Sequence, residues 1–212
     1  MKVAVIGLGL IGGSMAIDLR ESGFASELIG IDRNDMHAAE AVRLGLVDRT
    51  ETESQALAKA DVVIVAIPVN VLAALLPSIL EQVKPGAVVI DAGSTKRQIC
   101  RAVATHPKRN QFVAAHPIAG TENSGPGAAF SGLFTNKTTI ICEQEKSSAE
   151  ALATAQKMFD HLRMKITYMH PDEHDRHVAY VSHLSHVSSF LLGHTVLDIE
   201  RDEKNIFTLA GS

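Results

Sequence analysis

The residues Gly7, Leu8, Gly9, Leu10, Ile11 and Gly12 follow a short apolar run at the start of the chain and open a segment of helical periodicity. Asp32 ends the next apolar run, 20 residues after Gly12. Strand, glycine-rich turn, helix and a spaced acid in this order form the fingerprint of a dinucleotide-binding site. Each glycine has a physical task. Gly7 makes the tight turn, Gly9 lets the backbone approach a pyrophosphate, and Gly12 lets the helix pack on the strand, while free amides at the helix N-terminus attract the anion. Asp32 is placed to accept hydrogen bonds from the adenosine ribose hydroxyls and to repel a 2′-phosphate, which selects NAD over NADP. Arg33, the next residue, either stacks on adenine, pairs with a phosphate, or is an exposed surface arginine.

Ligands of a doubly wound sheet bind in the crevice beyond the carboxyl ends of its strands, so the residues that follow each strand bear inspection. Ile67 and Pro68, with Asn70, either lie along the nicotinamide ribose or start a helix. Ser94, in Ala92-Gly-Ser94-Thr-Lys96, is a helix N-cap, an active-site hydroxyl, or both. His116 opens His116-Pro-Ile-Ala-Gly-Thr-Glu122-Asn-Ser-Gly125, a loop rich in hydrogen-bonding groups. Imidazole titrates near neutrality, so His116 is the candidate base that takes a proton from a substrate hydroxyl while the carbon beneath gives hydride to nicotinamide.

These residues need a scaffold, and the periodicity supplies one. Apolar, β-branched runs at residues 2–6, 27–32, 61–67, 87–91, 112–114 and 138–142 alternate with helical patterns at 11–21, 35–44, 70–83 and 95–104. Continuous apolar strands alternating with helices predict βαβ units and a mostly parallel, doubly wound Rossmann-type α/β sheet. Gly23, Gly45 and Gly86 stand as stop signals after three of the helices. Ser147 and Glu150 have capping-box spacing, predicting a further helix from Ser147 and a last strand over 165–168. Beyond His170 the pattern becomes helical, with Val178, Val181, Leu184, Val187, Phe190, Leu191 and Val196 recurring on one face. We expect a dinucleotide-binding domain over 1–170 and, over 171–212, the start of an all-α domain. About 40 residues cannot bury such a face without partners, so that region reads as part of a truncated or swapped domain that makes a homodimer.

Composition excludes several function classes. With 20 Lys and Arg against 24 Asp and Glu, the net charge is −4, and no cationic field draws in a nucleic-acid backbone. The longest apolar stretch, 62–76, is interrupted by Pro68 and Asn70 and is too short to cross a bilayer. The N-terminal run lacks the length and cleavage site of a secretory signal, so a cytoplasmic protein is expected, with Cys100 and Cys142 as reduced thiols.

Four segments resemble the prephenate and arogenate dehydrogenases of tyrosine biosynthesis: the GLGLIGGS run over 7–14, the Gly93-Ser94-Thr-Lys96 turn, His116-Pro-Ile-Ala-Gly-Thr-Glu122, and Val181-Ser-His183-Leu-Ser-His186. The second and third of the longer motifs, HPIAGTE and SHLSH, are far more specific than the glycine run. The resemblance implies that His116 binds the ring hydroxyl as acceptor and base and that Ser94 orients that histidine or the substrate. It also places His186 in the substrate pocket and Glu122, beside Thr121, in the pocket wall. The implied reaction is NAD-dependent oxidative decarboxylation of prephenate to 4-hydroxyphenylpyruvate, or of arogenate to tyrosine. Ser185 stands where the family usually has proline, and the family's arginine for the ring carboxylate is expected beyond Ser212.

Three alternatives follow from the same residues. A β-hydroxyacid dehydrogenase shares a Rossmann domain followed by helices, but uses a different glycine-serine loop and a helix lysine. A non-catalytic NAD-binding regulatory module would have no need for His116, Ser94 and His186 to converge. The pairs His174/His177 and His183/His186 have i, i+3 spacing that can present two imidazoles to a metal, but no third ligand is in place and hydride transfer needs no metal. No metal is expected, and His174 and His177, beside Asp172, Glu173 and Asp175, read as a solvated helix face.

Overall fold

The computed structural model describes residues 1–180 and 189–191. In chain order the elements are β1 (Lys2–Ile6), α1 (Leu10–Glu21), β2 (Glu27–Ile31), α2 (Asp35–Arg43), β3 (Arg49–Thr50), α3 (Glu53–Leu57), β4 (Val62–Val65), α4 (Val69–Gln82) and β5 (Val88–Asp91). They continue with α5 (Arg97–Ala102), β6 (Phe112–Pro117), β7 (Thr138–Cys142), α6 (Ala149–His161), β8 (Lys165–Met169) and α7 (Pro171–Val178). The eight strands form one sheet in the order β3-β2-β1-β4-β5-β6-β7-β8. From β3 to β6 all neighbours are parallel; β7 runs antiparallel to β6, and β8 is parallel to β7.

Strand β4 and most of β1, β2, β5 and β6 are apolar because both faces of the sheet are covered there, whereas the edge strands β3 and β8 carry polar and exposed residues. On β1, Val3 and Val5 join one core with Met15 and Leu19 of α1 and Met158 and Phe159 of α6. Ala4 and Ile6 point the other way, into a core with Leu72, Leu76 and Leu80 of α4 and Ile99 of α5. The alternation of side chains along a strand thus divides one apolar run between two layers.

Local chemistry moves several helix ends from where periodicity alone puts them. Helix α6 begins after Ser148, whose hydroxyl accepts the Ala151 amide at 3.1 Å, rather than at Ser147. The Ser147 hydroxyl instead donates to the Phe112 carbonyl at 2.8 Å and fastens the helix entry to β6. Helix α5 starts at Arg97 with Lys96 at its N-cap position and no side-chain cap. Ser94 is therefore not the cap, because Lys96 turns inward and the chain from 94 to 96 is drawn down toward β5.

Residues Met1–His174 form one compact unit and Asp175–Ser212 a second, with the division falling inside α7. In the second unit Tyr180, Phe190 and Leu191 are exposed. His183, His186 and most of the predicted apolar helix face lie outside the described residues. Among the described residues no helix is long and apolar enough to cross a membrane.

Candidate active site

The chain passes from β1 to β2 on one side, then returns to β4 on the other side of β1. That reversal opens a crevice at the carboxyl ends of β1 and β4. Because β2, β1, β4, β5 and β6 are parallel neighbours, the residues singled out from sequence occupy successive places along one edge. Asp32 follows β2, the Gly7 loop follows β1, Ile67 and Pro68 follow β4, Ser94 follows β5, and His116 lies in β6 just before its end.

The glycine loop is built for close approach. Gly7 has φ +91°, and a Cβ there would stand 2.4 Å from the Ala66 carbonyl oxygen, so the loop is pressed against the turn that carries Ile67 and Pro68. A Cβ on Gly12 would meet the Gly7 carbonyl oxygen at 2.0 Å, which is the close helix–strand packing expected of that position. Gly9 differs: among the described residues its nearest neighbour for a Cβ is the Gly125 amide nitrogen, at 3.9 Å. Gly9 also caps α1 without a side-chain hydrogen bond, and the first turn of α1, beginning Leu10-Ile11-Gly12, holds no acidic residue. An open backbone face beside an uncapped helix N-terminus fits a pyrophosphate.

Asp32 is half-buried, and its two oxygens accept the amides of Leu8 at 3.0 Å and Asn34 at 2.9 Å. The carboxylate thereby ties the end of β2 to the glycine loop. Arg33 is exposed next to it. Pro68 occupies the N-cap position of α4, and its carbonyl accepts the Leu72 amide at 3.0 Å, so Pro68 starts a helix just beyond the carboxyl end of β4.

The segment after β6 packs over the start of α1. The buried hydroxyl of Ser14 accepts the Phe130 amide at 3.1 Å, and a Cβ on Gly13 would come within 2.7 Å of the Ala129 Cβ. Thr121 and Glu122 are exposed on this loop, where the Thr121 hydroxyl accepts the Asn123 amide at 3.2 Å.

Beneath Ser94 and His116 lies an ion pair whose two side chains are fully buried, Asp91 with Lys96. The Asp91 carboxylate also accepts the amides of Gly93 at 3.0 Å and Ala115 at 2.9 Å. One side chain therefore clamps the Ser94 turn to the residue before His116. Burial pushes the Asp91 carboxyl above its ordinary value, opposed by the Lys96 ammonium and the two amides. Breaking such a pair by removing one partner costs about 3 to 5 kcal/mol, because the other charge is left buried.

His116 itself is buried, and its Nδ1 lies 2.9 Å from Nε2 of His174 on α7. The rings meet edge to face, with centroids 5.1 Å apart and planes at 70°. This corrects the solvated reading of His174, which is fully buried, whereas His177 one turn on is exposed. The two do not share an environment. Sequence reasoning missed His174, Asp91 and Ser14. The only signal for His174 was a histidine in an otherwise charged helix start.

Residues 15–168 match the family described as prephenate dehydrogenase, nucleotide-binding domain, and residues 170–212 match prephenate dehydrogenase, dimerization domain. The prephenate dehydrogenase of Bacillus subtilis is 32% identical over 176 residues, covering 82% of this chain and 47% of the relative. The crystal structure of prephenate dehydrogenase from A. aeolicus in complex with hydroxyphenyl propionate and NAD+ is 29% identical with a TM-score of 0.81, covering 93% of this chain and 70% of that one. The Synechocystis arogenate dehydrogenase structure is 31% identical with a TM-score of 0.81, covering 95% and 74%. The chain spans about half the length of the first two curated relatives it matches. These matches show that the chain belongs to the prephenate dehydrogenase family.

Proposed function

We propose that the protein is an NAD-dependent dehydrogenase that oxidatively decarboxylates prephenate to 4-hydroxyphenylpyruvate. The observation that carries this reading is that His116 and the open Gly9 cradle lie on one edge of the sheet, with β4 and β5 between the strands that carry them. Family membership sets aside the β-hydroxyacid dehydrogenase alternative. The matched ranges favour division into a dinucleotide-binding part, 1–170, and a helical part, 171–212.

In this mechanism Gly7 to Gly12 receive the pyrophosphate, Asp32 the adenosine ribose, and Ile67 and Pro68 line the nicotinamide side. Bound NAD supplies the acceptor for the hydride that leaves the ring carbinol carbon. His116 takes the proton of the ring hydroxyl at Nε2, the electron pair of the breaking ring–carboxylate bond completes the aromatic ring as carbon dioxide departs, and the proton returns from His116 to the phenolate oxygen of the product. Aromatisation supplies the driving force, so the protein's contribution is orientation and proton acceptance. Ser94 orients His116 or the substrate hydroxyl, Thr121 and Glu122 belong to the pocket wall, and His186 to the substrate pocket. The match to a dimerization domain and the exposed Phe190 and Leu191 support a homodimer made through the helical region. Cytoplasmic operation belongs to the same reading, with Cys100 and Cys142 both buried and not joined in a disulfide.

Arogenate is the second reading, favoured by the likeness to the Synechocystis arogenate dehydrogenase. Steady-state assays of the complete protein with each substrate and with NAD or NADP decide between them. We expect NADH and carbon dioxide from prephenate, with a higher kcat/KM for NAD than for NADP. Preference for arogenate would transfer the assignment to the second reading, and no turnover of either substrate at saturating NAD would overturn both.

A further inference from the structure

We propose that His174 is a positioning residue that holds His116 in the tautomer able to act as a base, a role that rests on the assignment of His116 as the hydroxyl acceptor. The nitrogens Nδ1 of His116 and Nε2 of His174 are 2.9 Å apart, a hydrogen-bond distance, so one proton lies between them. Two arrangements are possible for neutral rings. If His174 donates, His116 accepts at Nδ1 and carries its own proton on Nε2, where it has no lone pair for a substrate hydroxyl. If His116 donates through Nδ1–H, its Nε2 is unprotonated and keeps its lone pair, and His174 is the acceptor. Only the second arrangement lets His116 take the proton of the ring hydroxyl.

The setting of His174 favours a fixed acceptor. A fully buried imidazole on a helix start that otherwise reads Asp172, Glu173, Asp175, Arg176 is costly unless its polar atoms are bonded. The helix that carries it is tied down at the first turn, where Asp172 pairs with Arg97 of α5 at 2.8 Å and Pro171 is buried one turn before His174. Its ring meets His116 at 70°, so the ring-nitrogen contact is made edge to face, without stacking. A neutral acceptor also suits a substrate that carries carboxylates. An aspartate at this place would hold the same tautomer but would set a buried negative charge beside the anionic substrate. When His116 becomes protonated at Nε2, its Nδ1–H still points at His174, and the hydrogen bond strengthens as its donor gains charge.

The test uses the complete protein and has two independent readouts. In wild type, nitrogen-15 NMR of the His116 ring is expected to show the proton on Nδ1 and an unprotonated Nε2. For kinetics, His174→Gln retains an acceptor and His174→Leu removes it. We expect kcat with prephenate within about fivefold of wild type for His174→Gln. For His174→Leu we expect a loss of about 10- to 100-fold in kcat, the range seen when an orienting partner is removed, with KM values for NAD and substrate within about twofold. A wild-type His116 protonated on Nε2 would overturn the proposal, even if neither variant folds. So would a His174→Leu enzyme with wild-type kcat, or equal losses in both variants. Failure of the base assignment is a separate result, because it appears as near-normal turnover of a His116 variant whatever His174 does.

Discussion

The Oδ2 oxygen of Asp32 accepts the backbone amide of Leu8 at 3.0 Å, so the acid proposed to face the ribose also holds the glycine loop. On that proposal, cofactor choice and loop geometry are coupled at one carboxylate. Asp32→Ser relieves the repulsion of a 2′-phosphate and leaves exposed Arg33 able to pair with it, while it removes the hydrogen bonds to a ribose diol. The ratio of kcat/KM for NAD over NADP is expected to fall by about tenfold or more, the worth of a hydrogen bond to a charged group. An unchanged ratio contradicts the role given to Asp32.

Gly9 and Gly12 are expected to separate ligand approach from folding. At Gly12 an added Cβ collides with the Gly7 carbonyl oxygen, so Gly12→Ala should destabilise the protein by about 1 to 3 kcal/mol or prevent folding. At Gly9 the fold leaves room for a Cβ, and Gly9→Ala should melt within a few degrees of wild type while binding NAD about tenfold or more weakly. Thermal melts and NAD titrations of both variants measure this; equal NAD affinity in Gly9→Ala and wild type would remove the pyrophosphate from this loop.

What the sequence disclosed was local. The Gly7 to Gly12 turn, Asp32 and the strand ends are read from neighbours in the chain, because strand, turn and helix N-terminus are consecutive. His116 was legible for the same reason, as a polar residue ending an apolar strand. Its partner was not: His174 lies 58 residues away, in a helix start whose charged neighbours pointed to solvent. Asp91 and Lys96 are charged residues near a turn, and only the packed sheet reveals that both are buried. The reversal of β7 was equally hidden, since an apolar strand has the same pattern in either direction.

At the opposite edge of the sheet, the Lys84 ammonium, 2.6 Å from Asp61, holds that carboxyl below the usual aspartate range. A depressed folded-state value means that the stabilisation is present above the ordinary aspartate value and is lost as pH falls through the folded one. Asp61→Asn should be less stable than wild type near neutrality, by no more than about 1 kcal/mol because the pair is partly exposed. Urea melts across pH should show the two proteins converging below about pH 3.9. A gap that stays constant down to pH 2 would show that the charge is not the cause.

The helical region should join two copies. Phe190 is 81% exposed and Leu191 64% exposed, a degree of apolar exposure that self-association would cover. Sedimentation of the complete protein at micromolar concentration is expected to give a dimer, and Phe190→Glu to weaken it. A monodisperse monomer contradicts the assignment.

Single-turnover hydride transfer in His116→Asn shows whether His116 accepts the substrate proton. The variant leaves Gly7 to Gly12 and Asp32 untouched, so the fold and the NAD affinity should match wild type. The rate of NADH formation from prephenate should drop by about 10² to 10⁴-fold, the usual contribution of a general base. Near-normal NADH formation in His116→Asn, with NAD still bound, would make the histidine structural and contradict the account.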